Sequence, residues 1–135
     1  VTEVEIIRAF EAGLVSGDSF HHADHVHLAF AYLSTFPVFT ALERFSSALK
    51  RFAAANGKPR LYNETVTCAY FFLINERIAR TKHSNWEEFS ASNTDLFVWR
   101  NGALFHYYRA TTLQSDLAKN VFILPDKYLE SETSP

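Results

Sequence analysis

The stretch 63–81, "NETVTCAYFFLINERIART", decides the fold. From Thr65 to Ile74 it is apolar on nearly every side, a pattern that suits a buried strand or a buried helix. It is longer than an ordinary strand, and no other part of the chain reads convincingly as one. The spacing therefore predicts a central helix over 63–81 with other helices packed around it. Upstream, Val38, Leu42, Phe45, Leu49 and Phe52 repeat at helical spacing over 38–55, between Pro37 and the breaker Asn56-Gly57-Lys58-Pro59. A helix over about 20–36 precedes Pro37. Thr2 and Glu5 form a capping box for a first helix to about residue 12, with Ile6, Ile7, Phe10 and Leu14 on its apolar face. Gly13 and the turn Ser16-Gly17-Asp18-Ser19 end it.

Downstream, Asn85 and Glu88 read as a second capping box, and Asn101-Gly102 breaks the chain. A short helix is expected over 103–108. Another is expected with Thr112 as its cap and Leu113, Leu117 and Val121 on its face, ending at Pro125-Asp126. The expected fold is all-α: one domain over 1–130, five to seven helices around an aromatic-rich core, with a frayed polar tail over 131–135.

Composition bounds the function. A chain of 135 residues is the size of one domain and buries roughly 65–70% of its unfolded surface without a staple. Aromatics reach 16%, with 13 Phe, which suits a bulky core and an aromatic-walled pocket. A formal charge of -2 with no basic stripe argues against nucleic acid as a partner. Lys50-Arg51, and the group Arg77, Arg80 and Lys82 at a helix end, read as solvated cations. The single cysteine excludes an internal disulfide, and Cys68, in an apolar stretch, is expected to be inert. No secretory pattern opens the sequence and no apolar run approaches the ~18 residues of a membrane span, so a cytoplasmic setting is expected.

One feature carries chemistry. Four of the six histidines fall in His21-His22-Ala23-Asp24-His25-Val26-His27, at the start of the second helix. At about 100° per residue, His22 aligns with Val26, Ala29 and Leu33, and His25 lies one flank over, beside Tyr32 and Phe36. Both point inward, one turn apart. His21 sits at the border, and Asp24 and His27 point outward. Imidazoles at i, i+3 can share an ion such as zinc, iron, manganese or copper, given a third ligand. The helix dipole near its N-terminus favours the neutral ring that a ligand or a general base requires. The same two rings could equally be buried groups satisfied by hydrogen bonds, or capping residues.

Partners for the cluster come from Tyr62-Asn63-Glu64-Thr65-Val66-Thr67, where polar residues lead into an apolar helix. Glu64 could supply a ligand oxygen or a base, Tyr62 a proton, and Thr67 a wall of the same pocket. Asn63 is a natural N-cap, which Glu64 in the first turn would suit. His106, between Phe105 and Tyr107, is the distant candidate for a third imidazole, or else a histidine held inside an aromatic cluster. His83 reads as a solvated helix end. Trp86 and Trp99 are expected against the core. Gly-rich phosphate loops, a Gly-x-Ser-x-Gly elbow and paired Glu-x-x-His motifs are missing.

The segments "FHHADHVHLAFAYL" and "YNETVT", with the later "FHYY" and "FILPD", resemble a family of small uncharacterised bacterial all-helical proteins. Its pattern has an HHxxHxxLA segment and a YxxT segment. The counterpart of Asn63 is often His there, so this chain departs from the pattern at that position. The resemblance implies a helical fold and a His-lined pocket, and no substrate.

Two functional expectations follow. The first is a small enzyme acting on an organic molecule, with His22, His25, Tyr62 and Glu64 as catalytic groups. Its metal-dependent form has one divalent ion on His22, His25, Glu64 and His106; its metal-free form uses His-based acid–base chemistry. The second is a non-catalytic helical module that holds an apolar small molecule or a partner helix. A homo-oligomer using surplus Phe at an interface is a third possibility. No nucleotide cofactor and no membrane are expected.

Overall fold

The structure, a computed structural model, describes residues 1–81, 85–100 and 102–127. The expected His83 helix end and the 131–135 tail lie outside the described residues. The described chain is all-helical with no strand: α1 (Glu3–Glu11), α2 (His22–Thr35), α3 (Val38–Ala55), α4 (Glu64–Thr81), α5 (Trp86–Ser92), α6 (Ala110–Leu113) and α7 (Asp116–Asn120). Short 3-10 turns at Gly17–Ser19, Pro59–Leu61, Thr94–Phe97 and Ala103–His106 join them. No helix among the described residues is long and apolar enough to cross a membrane.

Local signals set the helix ends. The Thr2 hydroxyl accepts the Glu5 N–H at 3.2 Å and the Glu5 carboxylate accepts the Thr2 N–H at 3.1 Å. Asn63 takes the Val66 N–H at 2.9 Å, and Asn85 takes the Glu88 N–H at 2.8 Å. Helix α1 stops at Glu11, where Gly13 adopts a φ of 74°, so Leu14 leaves the expected apolar face and is exposed.

Helix α4 is the hub. It packs against α2, α3, α5 and α7, burying Thr65, Thr67, Tyr70, Phe71, Leu73 and Ile74. Its buried polar positions have partners. The Thr65 side chain is fully buried; its hydroxyl donates to the Val121 carbonyl at 2.8 Å and accepts the Ile123 N–H at 3.0 Å. The Tyr108 hydroxyl donates to the Ile123 carbonyl at 2.6 Å, and Tyr107 O accepts the Asp126 and Lys127 N–H groups. The extended segment 121–127 is thus laced to the hub through backbone groups. The buried Tyr32 hydroxyl of α2 donates to Glu11 of α1 at 2.7 Å, and Arg44 of α3 donates to the same carboxylate at 2.8 Å.

The C-terminal third differs from expectation in one respect. The helix expected to start at Thr112 is two short helices. Ser115 caps the second through the Ala118 N–H at 3.1 Å, while the Thr112 hydroxyl inside α6 turns to Asp126. The break rotates the face, so Leu113 is buried while Leu117 and Val121 are exposed.

Candidate pocket between the second, third and fourth helices

Helices α2, α3 and α4 diverge around a cavity of about 610 Å³, a size that suits a small organic molecule. The Gly17–Ser19 turn and the end of α3 frame one side. A Cβ at Gly17 would overlap the Asn56 amide as it is now placed, so the amide rests against the bare glycine backbone. Phe20 closes that end, its ring 4.9 Å from Phe10 and 5.0 Å from Phe52. Phe45, stacked on Phe71 at 5.4 Å, extends the aromatic wall. Trp99, 41% exposed, completes the lining beside His22.

His22 and His25 both line this cavity, as their spacing predicts. They differ in how they are held. His22 Nε2 lies 2.8 Å from the Leu96 carbonyl and 3.1 Å from the Tyr70 hydroxyl, which itself donates to Leu96 O at 2.7 Å. A carbonyl only accepts, so Nε2 carries the proton and Nδ1 keeps its lone pair. Among the described residues Nδ1 has no partner. The ring stands edge-on to Tyr70 at 5.0 Å. Burial holds the imidazole below the ordinary range, with the Leu96 bond pulling weakly the other way.

His25 packs on Phe20, ring centres 4.3 Å apart, and its ring nitrogens make no hydrogen bond among the described residues. Burial, then the neighbouring His22, pushes its pKa down to about 4, against a small opposing pull from Asp24. No buried side-chain nitrogen or oxygen lacks a partner among the described residues, so these free ring nitrogens reach accessible space.

The remaining histidines are placed differently. His21 is exposed at the start of α2, where Asp24 accepts its N–H at 2.9 Å. His27, expected at the surface, is half-buried and lies flat on Trp86, ring centres 4.0 Å apart and 4° from parallel. A tryptophan brought in by α5 covers the outward face of α2, which no reading of α2 alone can see.

Tyr62, Asn63 and Thr67 line the cavity with the imidazoles. Glu64 does not. It accepts the Tyr62 hydroxyl at 2.6 Å, lies 4.0 Å from Lys50 Nζ, and faces a separate polar recess with Arg60, Asp116 and Lys119. Tyr62 is the wall between the two, and burial followed by the Glu64 bond raises its phenol pKa strongly. His106 is exposed and does not line the cavity, because its 3-10 turn buries Ala103 and Leu104 and carries His106 to the outside. Among the described residues no three His, Cys, Asp or Glu side chains stand where one ion could bridge them. Of the four expected ligands, His22, His25, Glu64 and His106, the fold brings together only the first two.

Cys68 is half-buried outside the cavity. Burial, with the Glu64 charge second, raises its thiol to about 11. Tyr70, pushed up to about 12 chiefly by burial, stays a neutral phenol. The cavity is therefore uncharged inside at neutral pH. Its charged lining residues, Asp18 and Lys58, are both exposed.

Sequence reading missed the Leu96 carbonyl, Tyr70, Phe20, Phe52 and Trp99 as site groups. Phe52 stood out only as part of the apolar face of α3. A backbone carbonyl leaves no mark in the residue pattern. No protein-family model, curated protein or solved structure matches the chain.

Proposed function

We propose that this chain binds a small, mainly apolar organic molecule in the cavity between α2, α3 and α4, with His22 and His25 meeting its polar end. One observation carries the reading: a largely apolar cavity of about 610 Å³ converges on two neutral imidazoles with unpartnered nitrogens. A sealed core would leave no such space, and a surface cluster would carry charge. A pKa of about 4 makes His25 a weak base at neutral pH and an adequate hydrogen-bonding wall.

The test uses N-phenyl-1-naphthylamine, a neutral dye that brightens in apolar surroundings. Saturable one-to-one binding is expected, together with a change in tryptophan emission from Trp99. Val66→Trp, which fills the cavity, should abolish it while far-ultraviolet circular dichroism stays helical. Equal binding by the folded, filled variant would remove the proposal.

A second reading, acid–base catalysis on the bound molecule, is favoured by the Leu96 contact. That carbonyl orients the His22 ring and leaves Nδ1 as the basic atom, the arrangement a general base needs. Its metal-dependent form has the imidazole pair as two ligands, the rest coming from water or substrate. Elemental analysis of untagged protein grown in supplemented medium tests that form, and a stoichiometry near zero removes it.

A further inference from the structure

The polar groups around the cavity are mostly committed to one another, and the few left over define what a ligand must offer. The Tyr62 hydroxyl donates to Glu64, and the Tyr70 hydroxyl to Leu96 O. The Asn63 amide donates to Leu113 O at 2.8 Å and accepts from Val66 N. The Asn56 amide nitrogen donates to Phe52 O at 2.8 Å, and the His22 Nε2–H goes to Leu96 O. The Thr67 hydroxyl is engaged with Tyr62, and the Asn56 and Asn63 amides each keep a spare N–H. On the two imidazoles, with the Trp99 indole beside His22, what remains is the Nδ1 lone pair of His22, plus one N–H and one lone pair on His25. The two imidazoles thus have two spare acceptors and one spare donor between them.

Resting on the proposed cavity, we infer that its ligand class is an uncharged aromatic or hydrocarbon-rich molecule carrying a hydrogen-bond donor, a hydroxyl or an N–H, presented to His22 and His25. A cation finds no carboxylate in the interior, since Glu64 is turned to the other recess. A carboxylate finds two lone pairs and a single imidazole N–H, a repulsive match. An ether or a hydrocarbon fits the aromatic wall yet leaves the imidazole lone pairs without a donor.

A matched set of four naphthalenes tests this at pH 7 by isothermal titration: 2-naphthol, 2-methoxynaphthalene, 2-naphthoate and 2-naphthylmethylammonium. All four share one apolar body and differ at the polar group. The naphthol should bind about tenfold tighter than the methyl ether, the scale of one hydrogen bond made or lost, and tighter still than both ions. In His25→Phe the naphthol should lose most of this preference while the ether binds as before. If that variant misfolds, His25→Gln, which keeps an acceptor, should retain part of the preference. Equal binding of naphthol and ether, or strongest binding of the carboxylate or the ammonium, overturns the inference. Loss of all four with the neutral dye still bound also overturns it, and leaves the cavity standing. Failure of the dye as well removes the cavity reading beneath it.

Discussion

His25 should make the stability of this protein fall as pH drops from neutral to 4, and the size of the effect follows from its surroundings. In the unfolded chain its imidazole titrates near 6.5; in the fold, burial and the neighbouring His22 hold it near 4. The folded-state value is the lower one, so between these limits the unfolded chain binds the extra proton, and stability rises with pH. The contribution is complete above about pH 6.5 and is lost progressively below it. About 2 kcal/mol should be gone by pH 5, and roughly 3 kcal/mol in all once pH passes below 4. His22, also depressed by burial, adds to the loss in the same direction. Urea unfolding of the wild type and of His25→Gln, at pH 7.5, 6 and 5, measures the effect. Glutamine does not titrate, so the stability difference between the two proteins should shift against the wild type by about 2 kcal/mol across this range. Carboxylates such as Glu11 and Asp95 titrate alike in both proteins and cancel. Parallel pH profiles for the two proteins would refute the claim that the His25 ring sits largely buried and neutral against Phe20.

Three further outcomes are expected. Thr65→Val keeps the shape of the side chain but strips partners from Val121 O and Ile123 N; a loss of about 2–3 kcal/mol in urea unfolding is expected, with Thr65→Ser recovering most of it. Tyr32→Phe removes the buried hydroxyl that donates to Glu11 and should cost about 1–2 kcal/mol, read as a lower thermal midpoint; an unchanged midpoint would show the link to be idle. Cys68 should react with an aromatic disulfide reagent far more slowly in native protein than in urea, its thiol being held near 11; equal rates would place it in water.

Gly17 sits against the Asn56 amide at one edge of the cavity. Were residue 17 larger, the Asn56 amide would have to swing aside. The aromatic triangle of Phe10, Phe20 and Phe52 ties the loop before α2 to α1 and α3, so the site is held by three elements that pack for reasons of their own.

The residue pattern by itself determined the first five helices and the inward pair of imidazoles, though not the broken helices after residue 102. Both depend on short-range geometry: a 3.6-residue period, caps such as Thr2 and Asn85, breakers such as Pro37 and Gly57, and the angle between positions 22 and 25 on one helix. Which distant groups surround those rings was decided by tertiary packing. The hub helix α4 carries Tyr70 to His22, and the turn 94–97 carries the Leu96 carbonyl. The same packing set Trp86 over His27 and sent His106 outside. The partners of His22 meet it across roughly fifty to seventy-five residues of chain, where spacing along the sequence has no bearing on direction in space.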